Sequence, residues 1–198
     1  MQRLKWWLGM TVTGIYRAPL KKLGKSPPES VRASLASAAD LAPFVGKRGY
    51  ELSPEFVAGA FARDDLCVAT YVDGAFAAYG WVAYRTAPHV DGVWVQFAAG
   101  QRYNYKNLTL PEYRGRHIRG SFGVLQTRDQ SECVTHSLAF IETHNYASIR
   151  AEKRNGGQRV GYAGYVELLG KRRFFRTPGA ARYGFTFCAV EPAAPQDA

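Results

Sequence analysis

The sequence predicts an α+β fold on a mixed, mostly antiparallel central sheet, and three observations predict it. LCVATYV and AFAAYGWVAY are separated by Asp73-Gly74, which supplies the positive φ angles of a two-residue hairpin turn. GVWVQFA and RYNYKNLTL continue as strands, joined by a turn containing Gly100. From Pro111 the pattern changes to helix (FGVLQTRDQ), strand (VTHSLAFIE), helix (144–156) and closing strands. Antiparallel runs followed by such alternation argue against a doubly wound sheet.

The 198 residues fit one domain, and 46% hydrophobic with 14% aromatic content excludes a disordered chain. Twenty-six Lys and Arg against sixteen Asp and Glu leave a net charge of +10. Acidic partners suit that balance: phosphorylated cofactors, carrier proteins, an anionic membrane or nucleic acid, the last disfavoured because no nucleic-acid module surrounds the basic, aromatic stretch 171–176. A solvated arginine surface suits it equally. Cys67, Cys133 and Cys188 form no C-x-x-C pair, so reduced thiols in a cytoplasmic protein are expected, with no disulfide framework. Four scattered histidines without an H-x-x-x-H or Cys cluster predict no metal site.

In chain order, residues 1–28 read as a basic, aromatic N-terminal arm. Trp6, Trp7, Met10 and Ile15 alternate there with Arg3, Lys5, Arg17 and Lys21, the mix expected of a segment at an anionic membrane surface or of tryptophans packed on the domain. No run of 18 apolar residues is present. Residues 29–190 form the domain. Val31, Ala33 and Leu35 mark a first strand, Ser37 or Asp40 caps a short helix, and Ser53-Pro54-Glu55 opens a second one. The segments 158–170 and 182–190 read as a last hairpin joined by the long basic loop 171–181, and 191–198 as a disordered tail.

The stretch 108–121, LTLPEYRGRHIRGS, ends a strand and leads through a basic glycine loop toward a helix, a place where backbone N–H groups favour phosphate. Leu110-Pro111-Glu112-Tyr113-Arg114-Gly115-Arg116 resembles the cofactor motif of the GNAT superfamily of N-acetyltransferases, with His117 and Arg119 where the family has glycine and glycine or alanine. A second stretch, His144-Asn145-Tyr146-Ala147-Ser148 through Gly156, is similar to the family's pantetheine-facing helix. Glu152 stands where many members carry tyrosine, and Gly157 where phenylalanine is usual. The resemblance spans Val31 to Phe187.

The resemblance implies a sheet of six to seven strands with about four helices, splayed between the fourth and fifth strands to admit an acyl-pantetheine arm. It implies acetyl-CoA as donor, or another acyl-CoA or acyl carrier protein, and a small-molecule or peptide amine as acceptor. Leu108, Leu110, Arg114, Gly115, Arg116, His117, Ile118, Arg119 and Gly120 would hold the cofactor with Asn145 and Ser148. An amide near Leu110 would polarise the thioester, Glu142 would be the base and Tyr105 a proton relay or acceptor-binding hydroxyl. By period two, Tyr103, Tyr105, Asn107 and Thr109 share one strand face. Three readings follow: an acetyltransferase for primary amines, a longer-chain acyltransferase at the membrane surface, and a GNAT-like binding protein without turnover.

Overall fold

The computed structural model describes residues 8–20, 30–90, 92–116, 118, 122–169 and 171–189. Residues 1–7 and 21–28 of the expected arm and the expected tail 191–198 lie outside them. In chain order the elements are β1 (Leu8–Pro19), β2 (Val31–Ala36), α1 (Ala38–Leu41), α2 (Pro54–Ala62), β3 (Leu66–Val72), β4 (Ala75–Ala83), β5 (Thr86–Val90) and β6 (Val93–Gln96). They continue with β7 (Gln101–Thr109), α3 (Gln126–Ser131), β8 (His136–Glu142), α4 (Tyr146–Arg154), β9 (Gln158–Leu168), β10 (Lys171–Arg176), α5 (Pro178–Ala181) and β11 (Thr186–Cys188). Two compact units divide the chain: residues 1–20, 84–103 and 134–198 form the first, 21–83 and 104–133 the second.

In the second unit the strand order is β7-β4-β3-β2, antiparallel from β4 to β2. Asp73 and Gly74 turn β3 into β4 at φ of 50° and 80°, as the hairpin signal requires. Both expected caps form: Ser37 and Asp40 bond reciprocally, and the Phe56 N–H donates to Ser53 Oγ at 3.1 Å ahead of Pro54. α2 lays Phe56 and Phe61 edge-on against the fully buried Trp81 of β4, at 5.3 and 5.2 Å between ring centroids. Val57 and Ala60 of the same helix are buried, while Phe56 and Phe61 are half-buried.

In the first unit the order is β10-β9-β1-β8-β7, and β11-β6-β5 make a separate three-stranded sheet. Among the described residues the larger sheet has eight strands where six to seven were expected, and there are five α-helices where about four were expected. Much of the excess comes from the expected arm. Its residues 8–19 form β1, antiparallel to β8 on one side and β9 on the other. Thr11, Val12, Thr13 and Ile15 are β-branched, which favours a strand. Thr13 and Ile15 are fully buried, and Thr13 Oγ1 donates to the Ala163 carbonyl at 3.0 Å. The segment 171–176, read as loop, is strand β10, and TPGA opens the short α5.

Candidate functional site

Strand β7 organises the candidate residues of the second unit. Lys106 has φ of 44°, uncommon for a side chain inside a strand, and marks a bulge. Tyr105 and Lys106 are adjacent in sequence, yet both meet the Phe56 ring, at 6.2 Å between centroids and 4.7 Å from Nζ to centroid. The bulge thus interrupts the period-two face expected to run from Tyr103 to Thr109. Asn107 then lies across Gly80 of β4, where a Cβ would collide with its amide oxygen.

Tyr105 is buried, and its hydroxyl donates to Asp65 Oδ2 at 2.6 Å. The Arg63 guanidinium donates to the same oxygen from Nε at 3.1 Å and Nη2 at 2.9 Å. Burial pushes the Asp65 carboxyl up to about 6, against the opposing pull of Tyr105 and Arg63. The Tyr105 phenol is pushed well above the usual tyrosine range, by burial first and then by the Asp65 charge. Neither Arg63 nor Asp65 was singled out from sequence, because Arg63-Asp64-Asp65 reads as an ordinary charged helix end.

The far end of β7 leads into the basic loop. The Leu110 N–H donates to the Ala77 carbonyl at 3.0 Å, so this amide is spent on β4 and is no free oxyanion donor. Backbone polarity alternates along a strand, which turns the Thr109 N–H and C=O to the opposite edge. There Arg114 Nε donates to the Thr109 carbonyl at 3.1 Å, while Thr109 Oγ1 is buried with no partner among the described residues. Leu108 is half-buried on the same strand. Pro111–Tyr113 form a 3-10 turn, Gly115 takes the left-handed φ of 78°, and Arg116 stacks on the Tyr113 ring at 5.4 Å.

Ile118 is buried against Val31, Val72, Ala77 and Ala78, so its side chain is core and only its backbone is left for a ligand. His117, Arg119 and Gly120 lie outside the described residues. The helix expected after the loop starts as a 3-10 turn at Phe122 and becomes α3 only at Gln126.

Glu142, Asn145 and Ser148 belong to the first unit. Glu142 ends β8 opposite Thr13, 48% exposed, with His144 Nε2 3.1 Å from its Oε2. Asn145 is the N-cap of α4, where its Oδ1 accepts the Ser148 N–H at 3.1 Å. Both residues therefore shape a helix start, a role that Asn before a helical run could have announced. Glu152 folds over Gly157, whose absent Cβ leaves room for its carboxyl.

His89 lies on β5 among the rings of Phe140, Phe187 and Tyr165, at 4.7, 5.1 and 6.1 Å. Burial lowers its pKa against the opposing charge of Glu142. Among the described residues no group of three His, Cys, Asp or Glu could hold a metal, and no helix is long and apolar enough to cross a membrane.

No family model and no curated protein matches the chain. Among solved structures it is similar to a GCN5-related N-acetyltransferase from Kribbella flavida, with a TM-score of 0.55 and 17% identity over 85% of this chain and 63% of that one. It is also similar to a conserved protein of unknown function from Staphylococcus epidermidis ATCC 12228, with a TM-score of 0.53 and 12% identity over 82% of this chain and 63% of that one. The chain thus spans 63% of the length of each. At such identity the likeness is one of fold, and the fold is that of the GNAT N-acetyltransferases.

Proposed function

Starting from the GNAT fold, we propose that this chain is an N-acyltransferase that moves an acetyl group from acetyl-CoA to a primary amine by direct attack on the thioester. The observation that carries the reading is the end of β7. A buried hydroxyl without a partner, Thr109 Oγ1, sits beside an anchored guanidinium, Arg114, one turn before a left-handed glycine in a basic loop. A pantetheine amide supplies the missing partner, and a diphosphate answers the cations.

The donor contributes an activated acyl carbon and a thiolate leaving group. The protein's share is positional and electrostatic. The edge amide of Thr109, rather than Leu110, polarises the thioester oxygen and its hydroxyl meets the amide-bearing arm, while the backbone groups of Leu108, like those of Leu110, face β4. The backbone at Gly115 approaches the phosphates, with Arg114 and Arg116 as counter-charges. Glu142 takes the proton from the acceptor ammonium so that its lone pair forms the new C–N bond. The C–S electron pair leaves with the sulfur, and the second nitrogen proton, shed as the amide forms, reaches the thiolate through solvent, since Glu152 occupies the position of the family's tyrosine.

That same Glu152, turned onto Gly157, favours a second reading, a GNAT-like protein that binds the donor without turnover. The two are separated by following thiol release from acetyl-CoA and palmitoyl-CoA with a panel of amines, alongside thermal shift with each donor. Release with acetyl-CoA and an amine supports the transferase. Faster release with palmitoyl-CoA moves the assignment to a longer-chain transferase, and binding without release under any amine moves it to the second reading.

A further inference from the structure

Strands β1, β9 and β10 run past the end of β8. The last β1–β8 pair at that end is Thr13↔Glu142, whereas residues 8–12 of β1 continue, paired with β9 as far as Leu168. Residues directly opposite across antiparallel strands point to the same face. The pairs Met10↔Val166↔Arg173 and Leu168↔Lys171 therefore align on one side of this overhang. Phe175 lies on it as well, over Gly164. Met10 is 70% exposed, Leu168 51% and Phe175 38%.

The opposite face is different. There Arg172 pairs with Glu167 at 2.9 Å and its guanidinium lies 6.0 Å from the Tyr165 ring centroid, while Tyr165 is buried. The open face carries two cations, Lys171 and Arg173, and neither has a carboxylate partner among the described residues. A second, independent observation lies at the hairpin tip. Leu169 is 65% exposed and takes φ of 51°, a position where Gly, Asn or Asp relieves strain and leucine does not. An apolar side chain is thus displayed to solvent at a conformational cost.

We propose that this face of the β1–β9–β10 overhang docks on an anionic lipid surface, with Met10, Leu168, Leu169 and Phe175 entering the interface and Lys171 and Arg173 meeting lipid phosphates. Rows of aliphatic side chains bordered by cations fit the boundary between acyl chains and anionic headgroups. A second copy of the chain fits worse, because it would stack like charges on each other.

The test is co-sedimentation of the full chain with phosphatidylglycerol–phosphatidylcholine vesicles and with pure phosphatidylcholine vesicles, across a salt series. Binding to the anionic vesicles that falls with salt is expected. Leu168→Ser with Leu169→Asn should weaken partitioning about tenfold. Lys171→Gln and Arg173→Gln should each weaken it about fivefold. All variants should keep the wild-type circular dichroism and thermal transition, since the changed side chains are exposed. The proposal is overturned by absence of binding to anionic vesicles at low salt. It is equally overturned if Trp6→Ser with Trp7→Ser abolishes binding while the overhang variants retain it, or if sedimentation shows a dimer that the leucine variants dissolve.

Discussion

The hydroxyl of Tyr105 and the carboxylate of Asp65 are joined by a 2.6 Å hydrogen bond in the buried part of the second unit. That bond ties the middle of β7 to the residue just ahead of β3, next to the bulge at Lys106. Tyr105 therefore acts as a strut for the strand rather than as an exposed proton relay. Tyr105→Phe keeps the ring packing against Phe56 and removes one donor to a charged acceptor. Urea unfolding should show a loss of about 1.5–3 kcal/mol. A loss near zero would mean that the bond adds nothing to the strand.

Asp65 also makes stability depend on pH. Its carboxyl sits at about 6 in the folded chain against 3.8 as the ordinary value. The folded state therefore holds the proton more tightly than the unfolded state. The contribution is fully present below the unfolded value, near pH 4, and is lost as pH rises through 6, an effect of up to about 3 kcal/mol. Asp65→Asn removes this slope, so the stability difference, variant minus wild type, should increase between pH 4 and pH 7. A difference that stays flat over that window would show that Asp65 titrates alike in both states.

Close packing of β1 onto β9 makes a third case. A Cβ on Gly164 would run into the Thr11 carbonyl, a backbone atom of the neighbouring strand that cannot turn aside, and into Phe175. Gly164→Ala should cost about 1–3 kcal/mol by overpacking. At Gly9 the nearest atom to a built Cβ is Glu167 Cβ at 3.9 Å, an ordinary contact. Gly9→Ala should leave the unfolding midpoint nearly unchanged, and equal losses for both would contradict the register.

Glu142→Gln tests the base. The exposed carboxylate at the end of β8 should be worth about 10²-fold in kcat with acetyl-CoA and a reactive amine, with the affinity for acetyl-CoA unchanged. An unaltered rate and pH profile would remove Glu142 from the reaction and direct attention to His89.

Much of the second unit was legible in the sequence because its signals are local. Asp73-Gly74, Ser53-Pro54 and Ser37 with Asp40 each specify a turn or cap through their own backbone chemistry, and each formed. The first unit was less legible. Met10 to Ile15 alternate as a strand does, yet the surrounding lysines, arginines and tryptophans give the same segment the composition of a membrane arm. Its partners, β8 and β9, lie over a hundred residues away. The candidate site divides in the same manner: the left-handed Gly115 could be read from its loop, whereas the Leu110 amide is taken by Ala77 and Ile118 by the core through contacts no local pattern records.

In the proposed function the loop after β7 binds the diphosphate of a CoA donor through backbone approach at Gly115. Calorimetric titration of the full chain with acetyl-CoA, beside the Gly115→Val variant, tests it most directly. A branched side chain at φ of 78° is strained and blocks that approach. Saturable binding by the wild type and at least about a tenfold loss in the variant are expected, with the fold intact by circular dichroism. Equal affinity in both proteins, or no heat of binding in either, would contradict it.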